Sequence, residues 1–419
     1  VISGAVNAWA RLNFVDAWNS AYAFIVLGKI VATIVLVFIG YLHRKTLAKK
    51  DSINWVGFAK LLTAEALIMV VTVLMGTWLS TSASPDRPGS TEFSPALSIV
   101  GVETPPPPTL SRILFSYEPN ALMIGILTLL IALYVKGVVV LSKRGDKWPV
   151  GRTIAFALGI SAVDFATSGG LGLYAQFSFS YHMMSHMVLG MIAPIGLVLG
   201  APMTLALRTL PQGRNPEERG VRGSLLAALH SKIGVLYTNP IVALAIFDGS
   251  LFALYFTDLF GSMMQSHVGH LVMNIHFLLA GILFFHVVIG IDPNPRRVPH
   301  LVRIVILFAA MSIHAFFSVA LMSTTTLIDG GYFGSLQSPW LTDLLADQRM
   351  GGSIGWAMGE VPILLALVAT FISWVKDDSR EAIRIDKNAA RSAAMGQPDE
   401  LAAYNKYLQD LAQRDRNEP

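Results

Sequence analysis

The sequence contains no cysteine and few charged residues. Among its 419 residues only 14% are Asp, Glu, Lys or Arg, whereas 53% are hydrophobic, and the mean hydropathy is +0.55. A soluble domain carries about 25% charged residues, so this composition excludes an ordinary soluble protein. Without thiols the chain forms no disulfide and no thiolate metal site, so any soft metal ion has to be held by His and Met.

Signatures of enzymes are also missing from the chain. Nothing in it resembles a nucleophile triad, a phosphate-binding glycine loop or a transport-ATPase motif, and we therefore predict that the protein is not an enzyme. The net charge is +4. Because the surplus Lys and Arg residues lie between apolar segments, they anchor membrane loops and indicate no nucleic-acid partner.

Nine apolar segments are long enough to cross a bilayer as helices. They lie at 21–42, 56–79, 119–141, 152–168, 180–208, 239–260, 267–291, 302–326 and 353–375. None shows the alternation of a membrane-spanning strand. The sequence therefore predicts an all-α polytopic membrane protein with about nine transmembrane helices. The lipid bilayer is accordingly one of its predicted partners.

Lysine and arginine are distributed unevenly between these segments, and their distribution predicts an orientation. The connection 169–180 carries no charge and 327–351 is mostly acidic, whereas every second connection is basic. Because short basic loops stay in the cytoplasm, we predict that the N-terminus lies outside and the C-terminus in the cytoplasm. The basic connections are 43–50, 143–152, 208–232, 296–303 and 376–391.

The chain divides into four predicted parts. Residues 1–80 hold two spans, and 81–118 form an external linker that is too rich in Ser, Thr and Pro to pack a core. Seven spans follow in 119–376. Residues 377–419 form a cytoplasmic tail, whose short amphipathic helix over 399–412 is expected to pack on the protein. Because the chain begins with Val1, we expect it to be trimmed or to be one piece of a longer polypeptide.

Two pairs of histidines mark the beginnings of the fifth and seventh segments. His182 and His186 lie one helical turn apart, and His267 and His270 are neighbours at i, i+3. The charge pattern places all four at one depth, near the external ends of their helices. Imidazoles at this spacing suit copper or zinc. Because a ligating imidazole must be neutral and its unperturbed pKa is about 6.5, metal binding should weaken at or below about pH 6. The alternative is that the rings only hydrogen-bond helix ends or interfacial water.

Methionines lie close to both histidine pairs. A thioether is a soft ligand suited to Cu(I), so Met183, Met187 and Met263 are candidate additional ligands. The alternative is packing, because methionines at helical spacing are more often core residues.

Four further polar residues lie in apolar segments, where an unpaired polar side chain is costly. Asp164 is predicted to lie near His182, where it could fix the imidazole tautomer. Asp248 and His314 lie nearer mid-membrane, and a pair, a water-filled cavity or a proton-linked role would account for them. His276 is interpreted as structural.

Short motifs recur in a specific order, beginning with the first histidine pair. They are His182-Met183-Met184-Ser185-His186-Met187, Ala193-Pro194, Leu199-Gly200-Ala201-Pro202-Met203-Thr204, His276-Phe277, Gly290-Ile291-Asp292-Pro293, Ala346-Asp347-Gln348-Arg349-Met350-Gly351-Gly352 and Glu360-Val361-Pro362. On these motifs, the chain over about 119–385 resembles the CtaG family of seven-span proteins.

Residues 1–80, with Gly28-Lys29 and a basic turn, are similar to the last two helices of CopD-type copper-resistance proteins. Such CopD–CtaG fusions resemble a pattern of actinobacterial proteins.

The resemblance to the CtaG family implies a role in assembling caa-type cytochrome c oxidase in the plasma membrane of a bacterium. It implies copper delivery to the oxidase or assembly of its copper centre, and the nearby thioethers favour Cu(I) as the cofactor over zinc or haem. It also implies oxidase subunits as partners, with other copper chaperones as further candidates. Three alternatives stay open on the sequence: a copper transporter, a bis-His haem protein, and a structural accessory subunit of a respiratory complex.

Overall fold

The computed structural model describes residues 2–12, 15–48, 94–212, 220–295, 298–395 and 400–417, with the short stretches 63, 65–72, 75–76 and 79. Throughout these residues the chain is helical, apart from turns, loops and an isolated bridge between Tyr117 and Gly169. The prediction of an all-α polytopic membrane protein is confirmed.

The described helices are numbered here in chain order. They are α1 (Ile2–Arg11), α2 (Ala21–Ala48), α3 (Pro95–Val100), α4 (Leu110–Phe115), α5 (Ala121–Lys143), α6 (Val150–Thr167), α7 (Gly170–Tyr174), α8 (Phe179–Met187), α9 (Ala193–Leu199), α10 (Pro202–Thr209), α11 (Gly220–Leu229), α12 (Lys232–Tyr237), α13 (Pro240–Phe247), α14 (Gly249–Tyr255), α15 (Leu259–Met264), α16 (His267–Ile289), α17 (His300–Met322), α18 (Tyr332–Ser335), α19 (Leu344–Ala394) and α20 (Glu400–Asn417).

Seven of the described helical segments are long and apolar enough to cross a bilayer. They are Ala21–Leu42, Ala121–Lys143, Val150–Thr167, Phe179–Thr209, His267–Ile289, His300–Met322 and Leu344–Arg391. Of the two other predicted spans, 56–79 falls largely outside the described residues. The segment 239–260 is shorter than predicted: its apolar helix covers Pro240–Tyr255, with a turn at Asp248 between α13 and α14. Asp and Gly are poor helix formers, which accounts for a break at Asp248-Gly249.

Glycines allow the helices of the bundle to approach one another closely. Gly359 of α19 faces α17, and a Cβ there would collide with the ring of His314. Between α6 and α9, a Cβ at Gly196 would lie 2.8 Å from the backbone nitrogen of Gly159. In a bilayer, where apolar side chains gain little from leaving lipid, such close packing is what holds helices together.

The span that begins with α8 is not a uniform α-helix. A π-helical turn, Val188–Ile192, follows α8, and α9 then begins with Ala193 and Pro194. Pro194 has no N–H to donate to the carbonyl of Gly190, which favours a local widening of the helix. Gly281 of α16 packs against that carbonyl, and a Cβ at Gly281 would collide with it. The missing side chain therefore lets α16 lie directly against the helix that follows the first histidine pair.

Residues 94–118 fold over the histidine end of the bundle, which we define as the end where α8 and α16 begin. Val100 of α3 is buried in the main core. Trp340 Nε1 donates to the carbonyl of Pro105 (2.9 Å), and the hydroxyl of Tyr174 donates to the carbonyl of Pro106 (2.7 Å). The prediction that this stretch cannot pack is therefore wrong for 94–118, because short apolar helices alternate with its prolines. Residues 81–93 lie outside the described residues.

The end of α19 and the helix α20 are exposed. α19 is 51 residues long, with Pro362 inside it, and α20 covers the predicted amphipathic helix. Tyr404 and Leu408 of α20 are 58% and 43% exposed. The prediction that this helix packs on the protein is therefore wrong. The exposed residues of α19 that follow Lys376 carry the tail away from the apolar core.

Candidate metal centre

The helix that carries the first histidine pair has a firmly fixed N-terminus. Ser178 is its N-cap residue, and the carboxylate of Asp347 on α19 accepts from the Ser178 hydroxyl (3.0 Å) and from the backbone N–H of Phe179 (2.7 Å). A carboxylate at this position also offsets the positive end of the helix dipole. These bonds fix the first turn of α8 and thereby the positions of His182 and His186.

Three of the four predicted histidine ligands come together at the histidine end. The rings of His182 and His186 are completely buried, and their centroids are 4.0 Å apart. The ring of His270, from α16, is 5.4 Å from that of His182. The two helices that carry the histidine pairs are therefore neighbours, and these three rings lie at one depth.

The two buried rings of α8 are held by their Nδ1 atoms. His182 Nδ1 lies 3.3 Å from the carbonyl oxygen of Ala175, and His186 Nδ1 lies 2.8 Å from the hydroxyl of Tyr255. Because a carbonyl only accepts, His182 carries its proton on Nδ1 and presents a lone pair at Nε2. The hydroxyl of Tyr255 can donate or accept; when it accepts from Nδ1, the ring of His186 presents the same lone pair at Nε2.

Both Nε2 atoms are buried and make no hydrogen bond within 3.5 Å. The side chain of Asn274 is the polar group next to His186, whereas no such neighbour is found for His182 Nε2 among the described residues. A buried polar atom without a partner costs about 1–3 kcal/mol, so it calls for a physical explanation. A hydrogen bond at one ring nitrogen with the other nitrogen free is the arrangement of a metal-ligating histidine, because the bond sets the tautomer and the ring orientation. The pair His182 and His186 thus has the chemistry of two metal ligands.

His267 has a different environment from the other three histidines. Its Nε2 lies 3.0 Å from the carbonyl oxygen of Val100, and the residue is exposed. The contact ties α16 to α3 at the surface of the bundle. This nitrogen therefore already has a protein partner. Among the described residues, the ring of His267 makes no contact with the rings of His182, His186 and His270.

Aromatic rings enclose the centre. His186 packs against Phe277 with a centroid distance of 4.3 Å, and His182 packs against Phe260 at 5.3 Å. Asn274, one turn after His270 on α16, is buried and lies beside His186. Apart from Asn274 and the polar atoms that hold the rings, the neighbours of His182 and His186 are apolar, which lowers the local dielectric.

The candidate methionine ligands lie in the packing of the bundle. Met183 and Met187 are buried members of the main core, and Met263 packs against that core while partly buried. The sulfur of Met183 faces Gly355 of α19. Their surroundings agree with the packing interpretation, and their role as soft ligands stays a prediction.

Asp164 and His276 do not hold the imidazoles of α8. The carboxylate of Asp164 accepts a hydrogen bond from the hydroxyl of Tyr117 (3.2 Å), in a partly exposed position. His276 is exposed on α16 and lies edge-on to Phe277. The partners that orient the rings are instead the carbonyl of Ala175 and the hydroxyl of Tyr255, which sequence reasoning did not single out.

Asp248 and His314 form the mid-membrane pair that their positions suggested. Their side chains are 1% and 0% exposed, and His314 Nδ1 lies 3.6 Å from Asp248 Oδ1. The pair belongs to α17 and to the break between α13 and α14, so it lies apart from the histidine centre.

A cavity of about 310 Å³ lies beside the centre at the histidine end. His270 and Asn274 line it, together with the exposed residues Ser266 and Val268, so it joins the surface to the third histidine. Tyr332 closes another side and donates a hydrogen bond to the carbonyl of Gln176 (3.2 Å). Burial raises the pKa of Tyr332, and the hydroxyl therefore stays a neutral donor.

The donor set fits a metal ion that accepts few ligands. Within the described ranges, no group of three His, Asp or Glu side chains is close enough to hold an ion as it stands. His182 and His186 present two buried imidazole nitrogens without a hydrogen bond, and the ring of His270 lies 5.4 Å from that of His182. Cu(I) accepts two or three ligands, whereas structural zinc sites almost always have four.

Comparisons with known proteins show which family the chain belongs to. The family model described as cytochrome c oxidase caa3 assembly factor matches residues 132–377, which contain all four predicted histidine ligands. The predicted CtaG resemblance is confirmed, and the CopD-like resemblance of residues 1–80 stays a prediction. No solved structure matches the chain significantly.

Curated relatives come from mycobacteria. Uncharacterized proteins of Mycobacterium bovis and Mycobacterium tuberculosis are each 41% identical over 318 residues, which is 76% of this chain and 48% of each relative. One from Mycobacterium leprae is 40% identical over the same length. The chain spans about half the length of the curated relatives it matches.

Proposed function

Because the chain belongs to the family of cytochrome c oxidase caa3 assembly factors, we propose that its histidine centre holds Cu(I) for the copper centre of the oxidase. The observation that carries this proposal is the pair of buried, unpartnered Nε2 atoms on His182 and His186. Each ring is held at its other nitrogen by a hydrogen bond. An assembly factor with such a centre acts as a metallochaperone and not as an enzyme.

The choice of copper rests on the chemistry of the donors. Imidazole suits copper as well as zinc, and the chain offers no thiolate. Two imidazole nitrogens are too few ligands for a four-coordinate ion such as structural zinc. They are enough for Cu(I), which is stable with two ligands. Met183 and Met187 are the soft donors nearest in sequence. When bound, Cu(I) would be the cargo of the protein, held by His182 and His186 with His270 beside them.

The cavity beside His270 supplies a route for the cargo. It reaches the surface at the histidine end, which the distribution of Lys and Arg predicts to be external. In a bacterial plasma membrane, copper would therefore pass between this end of the bundle and an oxidase subunit or another copper chaperone outside the cell. His270 lines the cavity and lies 5.4 Å from His182, which suits it to exchange the ion between the buried pair and the surface.

The geometry favours copper over haem in this centre. In a bis-His haem protein the porphyrin lies between the two imidazoles. The ring centroids of His182 and His186 are 4.0 Å apart, which leaves no room for a porphyrin between them. A Soret band in the purified protein would count against this argument.

A complementation experiment tests the proposed function. A strain that lacks the protein should retain oxidase subunits in its membrane, with low copper content and low activity. The wild-type gene should restore both quantities under copper limitation, and His267→Ala should do the same. The double variant His182→Ala/His186→Ala should restore neither. Normal oxidase copper with the double variant would overturn the proposal.

Copper transport is the rival function. It would require uptake into sealed vesicles that contain this protein alone, and Asp248 and His314 would then lie on the path. Vesicles loaded with a Cu(I) indicator distinguish the two functions: chaperoning predicts binding without accumulation, whereas transport predicts accumulation that is lost in Asp248→Asn.

A further inference from the structure

Asp248 and His314 form a second buried polar site that the histidine centre does not use. Asp248 lies at the break between α13 and α14, and His314 lies in the interior of α17. Both side chains are inaccessible, and Asp248 Oδ1 lies 3.6 Å from His314 Nδ1. Neither carboxylate oxygen of Asp248 makes a hydrogen bond, and His314 Nδ1 makes none either.

The tautomer of His314 is fixed from the opposite side of its ring. His314 Nε2 lies 3.1 Å from the carbonyl oxygen of Gly355 on α19. A carbonyl only accepts hydrogen bonds, so Nε2 must carry a proton. The ring lies this close to α19 because Gly359 has no side chain, and a Cβ there would collide with the ring.

This tautomer decides how many protons the pair holds. With one proton on Nε2, the neutral ring turns a lone pair at Nδ1 toward Asp248. An ionised Asp248 would then face that lone pair with no donor at either oxygen, in a dry interior where an uncompensated charge is very costly. One more proton between Nδ1 and Oδ1 removes this cost and leaves the pair electrically neutral.

Glu360 is the ionisable side chain that faces the pair from α19. It interacts electrostatically with both His314 and Asp248, and its Oε1 atom is buried without a hydrogen-bond partner. Glu360 also lines a groove of about 510 Å³ on the surface of the bundle, together with Met311 and Trp356. It therefore lies between the buried pair and the outside of the bundle.

We propose that Asp248 and His314 form a proton-binding site inside the membrane, which retains one shared proton at neutral pH and exchanges it through Glu360. The ligand is a proton, and binding it forms an O–H bond on Asp248 or an N–H bond on His314 Nδ1. No metal takes part, so the site is independent of the proposed copper function.

Spectroscopy on the purified full chain in lipid nanodiscs, without added metal, tests the proposal. Infrared spectra report a protonated carboxylic acid by its carbonyl stretch, and nitrogen-15 NMR of labelled histidine reports a doubly protonated ring. At neutral pH one of these signatures should be present in the wild type and missing in Asp248→Asn. The variant should fold, because its amide can donate to Nδ1 as the protonated acid would. An ionised Asp248 beside a singly protonated His314 would overturn the proposal.

The part assigned to Glu360 has its own measurement. Transfer into heavy water should shift the signature of the shared proton, and Glu360→Gln should slow that shift at least about tenfold, as expected when a positioned acid–base group is lost. Ser312→Ala, at another residue lining the same groove, is the matched control and should leave the rate unchanged. An equal rate in wild type and Glu360→Gln would exclude Glu360 as the exchanging group.

Discussion

The two histidine pairs look alike in sequence but differ in the folded chain. Both rings of the α8 pair, His182 and His186, point into the bundle and are completely buried. The α16 pair divides: His270 joins the α8 rings, whereas His267 meets the carbonyl of Val100 at 3.0 Å and is exposed. Spacing along a helix therefore brings side chains to one face, but their neighbours decide which nitrogen remains available.

This difference separates a structural histidine from a candidate ligand. In His267, Nε2 is already hydrogen-bonded to a backbone carbonyl outside its own helix, so the ring links two segments of the chain. Where Nδ1 is held and Nε2 is buried without a partner, as in His182, the ring is oriented for a ligand. The predictions below test this distinction, beginning with the largest expected effect.

The largest effect is expected when both α8 imidazoles are removed. His182→Ala/His186→Ala should abolish Cu(I) binding, a loss greater than the 10–100-fold effect typical of removing an outer hydrogen-bond partner. His267→Ala, the matched control, should change the affinity less than about threefold, because its Nε2 is already engaged. Competition titration with a Cu(I) chelator measures both. Equal losses in the two variants would mean that all four histidines act alike.

A smaller effect is expected from the partner that orients His186. Tyr255→Phe removes the hydroxyl that lies 2.8 Å from His186 Nδ1 and should lower the Cu(I) affinity by about 10–100-fold. Tyr332→Phe is the control, since its hydroxyl lies near the centre but donates to the carbonyl of Gln176. The same chelator titration applies. If Tyr255→Phe binds as tightly as wild type, the hydroxyl does not hold the ring.

The close approach of α16 to the first histidine helix provides the third prediction. Gly281→Ala places a Cβ against the carbonyl of Gly190 and should destabilise the protein by about 1–3 kcal/mol, as overpacking does. Gly190→Ala is the matched control, because the nearest atom to its Cβ would be 3.9 Å away. Thermal unfolding in detergent compares the two variants. Equal melting temperatures would show that the contact is not tight.

The smallest effect concerns the residue that fixes the beginning of α8. Asp347→Ala removes the acceptor for Ser178 and Phe179 and should cost about 1 kcal/mol of stability, with a modest loss of Cu(I) affinity. Asp343→Ala removes a comparable bond, from the N–H of Ala346 (2.9 Å), within the first turn of α19. It should lower the melting temperature without changing the affinity. A change in Cu(I) affinity in the control Asp343→Ala would contradict the proposed link between Asp347 and the histidine centre.

Much of this arrangement could be predicted from the sequence. The apolar segments and the alternation of basic loops placed the histidine pairs at one depth, and the ring contacts between α8 and α16 agree with that depth. The break at Asp248 could not be placed, because the apolar composition of 239–260 obscures one Asp-Gly step. The folding of 94–118 over the bundle was also missed, because its fixing bonds join residues far apart, such as Trp340 and Pro105.

The partners of the site were harder to predict than its ligands. His182 and His186 share a face through their spacing alone. Tyr255 reaches His186 across 69 residues of sequence, and no periodicity relates the two. Asp164 was predicted to hold an imidazole, but its neighbour Tyr117 comes from the loop before α5, whose course no pattern in the sequence determines.

X-ray absorption of the Cu(I)-loaded, purified chain is the most direct test of the central claim, that the α8 imidazoles hold the metal. We expect a first shell of nitrogen ligands with the multiple scattering of imidazole. This signal should disappear in His182→Ala/His186→Ala and persist in His267→Ala. A first shell made of sulfur alone, or an imidazole signal that survives the double variant, would contradict it.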